Sequence, residues 1–202
     1  MSLKEYARKR SFQQTPEPEP STPGANAAGN FFCVQRHHAT RLHYDFRLEV
    51  DGALVSWAVP KGPTLSPTEK RLAMHVEDHP LAYGNFEGNI PAGNYGAGSV
   101  MLWDRGTYDL LGDLPAKAQL ERGDFKFRLH GQKLRGEFAI VRMKNRGKGN
   151  EWLLLKKKDE FADPNWDAEE HDRSVSTGRT QEQIARDMPT VETAHRAKRS
   201  FP

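Results

Sequence analysis

The stretch His43-Tyr44-Asp45-Phe46-Arg47-Leu48-Glu49-Val50, preceded by His37, sets imidazole, carboxylate and guanidinium groups at alternating positions. In a strand, alternate side chains share a face, so His43, Asp45, Arg47 and Glu49 stand on one side and Tyr44, Phe46, Leu48 and Val50 on the other. Such a strand buries an apolar row while presenting, side by side, groups suited to a metal ion and a phosphate. His37 lies six positions before His43, with Ala39, Thr40 and Arg41 between, and can approach the same cation from an adjoining turn or strand. Two His nitrogens and one carboxylate oxygen leave coordination positions open for water and substrate. An antiparallel strand with solvated or ion-paired charges on its wet face has the same pattern, so spacing alone leaves both readings open.

A second row follows in Arg71-Leu72-Ala73-Met74-His75-Val76-Glu77-Asp78-His79, where alternation puts Arg71, His75, Glu77 and His79 on one face. If both strands face one cleft, His79 can donate to a phosphate oxygen or protonate a leaving oxygen, and Glu77 can fix the tautomer of a nearby imidazole. An ordinary wet strand face remains the other reading, above all for His75. The Arg47 guanidinium suits two phosphate oxygens, or else a salt bridge to Glu49 or Asp45. Lys61 and Arg71 add positive charge that solvent alone can satisfy. The glycine-rich run from Tyr83 to Gly98 has the wrong spacing for a dinucleotide fingerprint and lacks the Gly-Lys-Ser/Thr of a P-loop. It reads instead as a long ordered loop beside the site, with Tyr83 as a contact. Arg142, Lys144, Arg146 and Lys148, then Lys156 to Lys158, can attract a nucleic-acid backbone or simply be solvated; no base-reading motif accompanies them.

The elements that must position these groups are strands. Candidates are Phe31 to Gln35, His43 to Val50, Leu54 to Val59, Arg71 to Val76, Gly98 to Asp104, Gly106 to Leu110, Asp124 to His130, Gly136 to Arg142 and Glu151 to Lys157. Asp51-Gly52 marks a tight hairpin, because its turn needs positive φ. Many short strands with closely spaced turns predict a mainly β chain: an antiparallel barrel or sandwich with a short helix at Pro115 to Leu120. The 202 residues suit one domain, read as a basic and Pro-rich arm over 1–30, a barrel over 31–162 and a polar tail or linker over 163–202. The tail carries an amphipathic turn at Thr180 to Met188 and a basic end at His195 to Arg199. Hydrophobic content of 36% and a mean hydropathy of -0.80 agree with solvated, flexible ends. The net charge of +3 and the isoelectric point near 9.0 make a polyanionic partner plausible. Cys33 stands alone, which excludes an intramolecular disulfide framework and a multi-cysteine zinc site. With no apolar run near the roughly 20 residues that span a bilayer, and no signal-peptide core in Met1 to Arg10, a soluble cytoplasmic protein without membrane contact is expected.

From Phe31 to about Phe161 the chain resembles the 3'-phosphoesterase family, the DNA-end-healing module of bacterial ligase D and its stand-alone relatives. The resemblance rests on Gln35-Arg36-His37, Arg41-Leu42-His43-Tyr44-Asp45-Phe46-Arg47-Leu48-Glu49, Ser56-Trp57-Ala58-Val59-Pro60-Lys61-Gly62-Pro63, Val76-Glu77-Asp78-His79-Pro80 and Phe86-Glu87-Gly88-Asn89-Ile90-Pro91, in that order. It implies a compact β-barrel with a manganese-dependent site that removes a 3'-terminal ribonucleotide in stages and hydrolyses a 3'-phosphate to a 3'-hydroxyl. It further implies His37, His43 and Asp45 as metal ligands, Arg47 and His79 as phosphate contacts, and Tyr83 and Glu77 as catalytic neighbours. Gln35, Lys61 and Arg71 are its substrate-binding residues. Tyr6 to Pro18 is similar to the family's N-terminal arm, whose basic and acidic residues can fold back toward the site, with Ser11 where an acid is expected after Arg10. Asp172 to Ala185 is reminiscent of ligase D linker sequence, and no ligase lysine motif or polymerase region follows, so either a stand-alone protein or one excised domain is expected. The implied partners are primer-template 3' ends, ligase and polymerase modules, and Ku. Two other functions fit the residues: an iron oxygenase built on a two-His-one-carboxylate triad, and a non-catalytic nucleic-acid-binding module.

Overall fold

Alternation decides which side of each strand enters a core, and the turn residues decide where the chain reverses. The computed structural model describes residues 3–20, 29–144 and 148–187. Its strands are β1 (Phe31–His38), β2 (Leu42–Val50), β3 (Ala53–Val59), β4 (Lys70–His75), β5 (His79–Pro80), β6 (Gly88–Ile90), β7 (Gly98–Leu110), β8 (Asp124–Gly131), β9 (Arg135–Arg142) and β10 (Glu151–Lys156). Eight of them close an antiparallel barrel in the order β1-β2-β3-β4-β10-β9-β8-β7, with β7 returning to pair with β1. The short β5, at the end of the second row, pairs with β3, and β6, inside the segment read as a loop, pairs with β7. The fold is thus the expected mainly β barrel. Asp51 and Gly52, with φ of 50° and 79°, make the tight turn that sets Val50 opposite Ala53.

One boundary differs from the sequence reading. Gly98 to Asp104 and Gly106 to Leu110 form a single strand, β7. Gly106 does not break it; a Cβ there would lie 2.1 Å from the His130 carbonyl oxygen, so glycine permits close approach to β8. Among the described residues the α-helices are α1 (Leu3–Arg8), α2 (Ala116–Arg122) and α3 (Gln181–Arg186), and α2 is the helix expected at Pro115 to Leu120. It is stopped by Gly123 at φ 79°. A capping box between Thr180 and Gln183 starts α3. Arg146, Met188 and the basic stretch His195 to Arg199 lie outside the described residues.

The barrel interior is filled by the predicted apolar row, Tyr44, Phe46, Leu48 and Val50, together with Phe32, Trp57, Trp103, Phe127 and Phe138. The opposite face of β2 is not wet. Asp45, Arg47 and Glu49 are all buried, because the arm and the 81–98 segment cover the outside of β1, β2 and β3. Tyr6, Cys33, Leu54, Tyr83 and Leu102 form a second apolar cluster there. The polar segment after 162 also rests on the barrel over its described length: Ile184 is fully buried in the main core, and Glu169 accepts from the Tyr44 hydroxyl at 2.6 Å and from Arg36 at 2.7 Å.

Candidate active site

Pairing of β1 with β2 sets His37 directly opposite His43 and Gln35 opposite Asp45, so the outward face of one hairpin collects both imidazoles and the carboxylate. The His37 Nε2 lies 2.8 Å from the Gly96 carbonyl, and the His43 Nδ1 lies 3.0 Å from the Arg41 carbonyl. Each carbonyl assigns the proton to the nitrogen that faces it, leaving lone pairs on His37 Nδ1 and His43 Nε2. Both lone pairs face Asp45, at 3.6 Å from its two oxygens, too far for hydrogen bonds. Burial works to raise the Asp45 carboxyl, but the Arg47 guanidinium 3.1 Å away outweighs it and holds the group well below the usual carboxylate range. Among the described residues, one ligand atom from each of these three side chains lies within 4.8 Å of the others. Two imidazole nitrogens, oriented by backbone carbonyls, and an ionised carboxylate form a donor set that fits a divalent ion.

Arg47 stands next along the same face and is almost wholly engaged. Its Nε donates to Gln35 Oε1 at 2.8 Å, its Nη1 to Ser56 Oγ at 2.8 Å, and its Nη2 to Asp45 Oδ2 at 3.1 Å. The same Nη1 lies 3.0 Å from His79 Nδ1. One Nη2 hydrogen therefore remains for a ligand, and the guanidinium plane is fixed in advance. Gln35 is fully buried behind it and spends its amide on the Tyr83 and Phe86 carbonyls, so it holds Arg47 rather than reaching the pocket. Ser56 emerged only from structure, although alternation along β3 puts it on the same face as Leu54 and Ala58, opposite the buried Trp57.

His75, the last residue of β4, shares its face with Ala73, which lies in the barrel core, so this face of β4 turns inward rather than to the site. Its ring packs on Trp57 and Trp152 at 5.3 and 5.9 Å, and burial lowers its pKa to about 4. Past β4 the strand ends, and its alternation no longer applies. Glu77 and His79 do reach the site. The Glu77 carboxylate pairs with Lys9 at 3.0 Å and Arg10 at 3.2 Å, whereas it is its backbone carbonyl that sits 2.9 Å from His79 Nδ1. His79 is buried between guanidiniums, with Arg10 Nη2 3.3 Å from its Nε2. Burial first, then the charges of Arg47 and Arg10, push its imidazole well below 6.5, so the ring is neutral.

The arm supplies the groups that the site reading left out. Arg10 donates to Glu17 at 2.8 Å and lies with its guanidinium carbon 3.9 Å from the centre of the Tyr6 ring. Glu17 also accepts from the Tyr83 hydroxyl at 3.0 Å and from Thr15 at 2.9 Å. Tyr83 packs edge-on to His79, and burial, reinforced by Glu17, keeps its hydroxyl protonated. The signal for Arg10 was legible in the arm's paired charges, but composition could not place them. Ser11 is exposed and does not line the pocket.

Arg10, His37, His43, Asp45, Arg47, Glu77, His79, Tyr83 and Tyr95 line one cavity of about 300 Å³. Lys61 and Arg71 are not brought to it. They line a neighbouring hollow, where Arg71 pairs with Glu69 at 2.6 Å.

Residues 35–142 match the family model of the DNA ligase D 3'-phosphoesterase domain. The chain is 56% identical over 158 residues to the multifunctional non-homologous end joining protein LigD of Pseudomonas aeruginosa, a match covering 78% of this chain and 19% of that protein. It is 46% identical over 160 residues to the multifunctional non-homologous end joining DNA repair protein LigD of Mycobacterium tuberculosis, covering 78% of this chain and 20% of the relative. Against LigD of Mycolicibacterium smegmatis the identity is 41% over 163 residues, with 78% and 21% covered. The matched region thus spans about a fifth of the length of each of these relatives. A matching domain model and relatives of this identity lead to one assignment: the chain belongs to the DNA ligase D 3'-phosphoesterase domain family.

Proposed function

We propose that this domain is a metal-dependent phosphoesterase that heals DNA 3' ends, removing a 3'-terminal ribonucleotide and hydrolysing a 3'-phosphate to leave a 3'-hydroxyl. The observation that carries this reading is the convergence of the His37 and His43 lone pairs on the ionised Asp45, with the fixed Arg47 guanidinium and neutral His79 in the same cavity. His37, His43 and Asp45 would hold a divalent ion, manganese in this proposal, which would supply Lewis acidity to the phosphoryl group. Arg47 offers its remaining N–H and its charge to a second phosphoryl oxygen without reorganising. Arg10 adds a second positive charge beside His79. Neutral His79 is not charged with a proton for the leaving oxygen; its Nε2 is a hydrogen-bonding group until a phosphate dianion arrives to favour the imidazolium. In the hydrolysis itself water oxygen bonds to phosphorus, the P–O3' bond breaks, and O3' departs with a proton as the sugar hydroxyl.

The substrates are primer-template 3' ends, and ligase modules, polymerase modules and Ku are the proposed partners. A purely binding module has no use for two imidazole lone pairs aimed at a buried carboxylate. An oxygenase has none for two guanidiniums beside the same site.

The test is cleavage of a labelled primer-template bearing a 3'-phosphate or one 3'-ribonucleotide, with manganese or chelator, by wild type, His43→Ala and Asp45→Ala. Conversion to a 3'-hydroxyl by wild type alone, and only with metal, is the expected result. No turnover by folded, metal-loaded wild type removes this reading.

A further inference from the structure

Tyr95 is left without a task by the chemistry above. It is 51% exposed, and among the described large apolar side chains that reach solvent it is the one that lines the cavity. A single exposed ring needs no explanation by itself; its position does. Tyr95 sits in the loop between β6 and β7, directly before Gly96, whose carbonyl holds the His37 imidazole at 2.8 Å. Asn94, on the other side of the ring in sequence, donates to the Pro91 carbonyl at 3.2 Å and to the Gln14 carbonyl of the arm at 3.4 Å. The turn that orients a metal-ligand candidate therefore also fixes this ring at the mouth. Lys9 and Arg10 approach it at 4.9 and 5.6 Å from the centroid and hold it further by cation–π attraction.

Given the proposed function, a phosphate at Arg47, His79 and the three metal-ligand candidates would leave the attached sugar and base to exit past this ring. We infer that Tyr95 is a positioning residue: the platform on which the base of the 3'-terminal nucleotide stacks. Every base has a π face, so the platform detects that a base is present and does not read which one. Ends that carry a terminal base are then favoured over ends whose terminal sugar has lost it.

The inference is tested by equilibrium anisotropy in the presence of chelator, so that binding is read without turnover. The probes are two primer-templates with a 3'-phosphate, one with a normal terminal base and one with an abasic terminal sugar; the proteins are wild type, Tyr95→Phe and Tyr95→Ala. Wild type and Tyr95→Phe are expected to bind the base-bearing end at least about fivefold more tightly, the low end of what a base stacked on an aromatic ring contributes. Tyr95→Ala is expected to bind both ends with nearly equal Kd. The inference is overturned if Tyr95→Ala keeps the preference, if it weakens both ends by the same factor as a simple clasp for the arm would, or if wild type has no preference or binds neither end. Failure of the proposed function reads out separately, as absence of metal-dependent turnover by wild type.

Discussion

At the scale of single residues, the site is a set of groups whose freedom has been removed. Arg47 is held through Gln35, Ser56 and Asp45, so its orientation depends on a residue that does not line the cavity. Gln35→Leu keeps the bulk but deletes the acceptor for the Arg47 Nε. The expected outcome is a kcat lower by roughly 10- to 100-fold, the range that misplacement of a reacting group produces, with metal affinity unchanged by calorimetry. Equal loss of metal affinity and kcat would mean that Gln35 supports the hairpin as a whole. The types of the site residues were plain in sequence: His37, His43, Asp45, Arg47 and His79 meet as their motifs implied. What spacing could not supply was the partner of each atom. The Glu77 carboxylate, expected to fix an imidazole, pairs instead with Lys9 and Arg10, and it is that residue's backbone carbonyl that lies 2.9 Å from His79 Nδ1, a contact that no side-chain pattern encodes.

At the scale of elements, alternation was a sound guide while a strand lasted and failed where it ended. β2 obeys it throughout, with its apolar row in the barrel core. β4 keeps it as far as His75, which lies with the buried Ala73 on the face turned inward against two tryptophans; the strand stops there, and beyond it His79 goes to the site. This placement has a pH signature. The unfolded chain takes up the His75 proton near 6.5, the folded protein only near 4. Between these values the unfolded state holds more protons, so stability falls as the pH is lowered through this window and is flat in this respect above it. Urea unfolding in chelator from pH 7 to 4.5 should cost wild type roughly 2 kcal/mol more than His75→Phe, which keeps the ring stack and removes the titration. Parallel pH profiles for the two proteins would show that His75 is not the group responsible. The Gly98 to Leu110 strand failed to read as one element for a related reason: Gly106 looks like a break in sequence, whereas its missing side chain is what lets two strands meet.

At the scale of the whole molecule, the described parts of both polar ends close over the barrel. Composition described them well as segments unable to build a core of their own, and for that reason could not foresee that they complete an existing one. Tyr6 and Ile184 are each fully buried, in the outer and main apolar clusters respectively. Ile184→Ala should therefore lower unfolding stability by about 2–5 kcal/mol, as removal of a buried aliphatic group does elsewhere; a change within about 0.5 kcal/mol would mark this helix as a surface passenger. The hairpin of β1 and β2 has a consequence of another kind. His37, His43 and Asp45 all lie on that one hairpin, whereas Arg10 and His79 join it only when distant parts of the chain dock. Closing so short a loop is entropically cheap, so an unfolded chain already offers a metal three neighbouring ligands. Linkage then limits the thermal shift that a divalent ion can produce, because affinity for the unfolded ensemble subtracts from the stabilisation that native-state affinity alone would give. For the proposed centre, tight metal binding with only a small rise in Tm is therefore the expected outcome, and such a centre would not need the closed barrel to take up its ion.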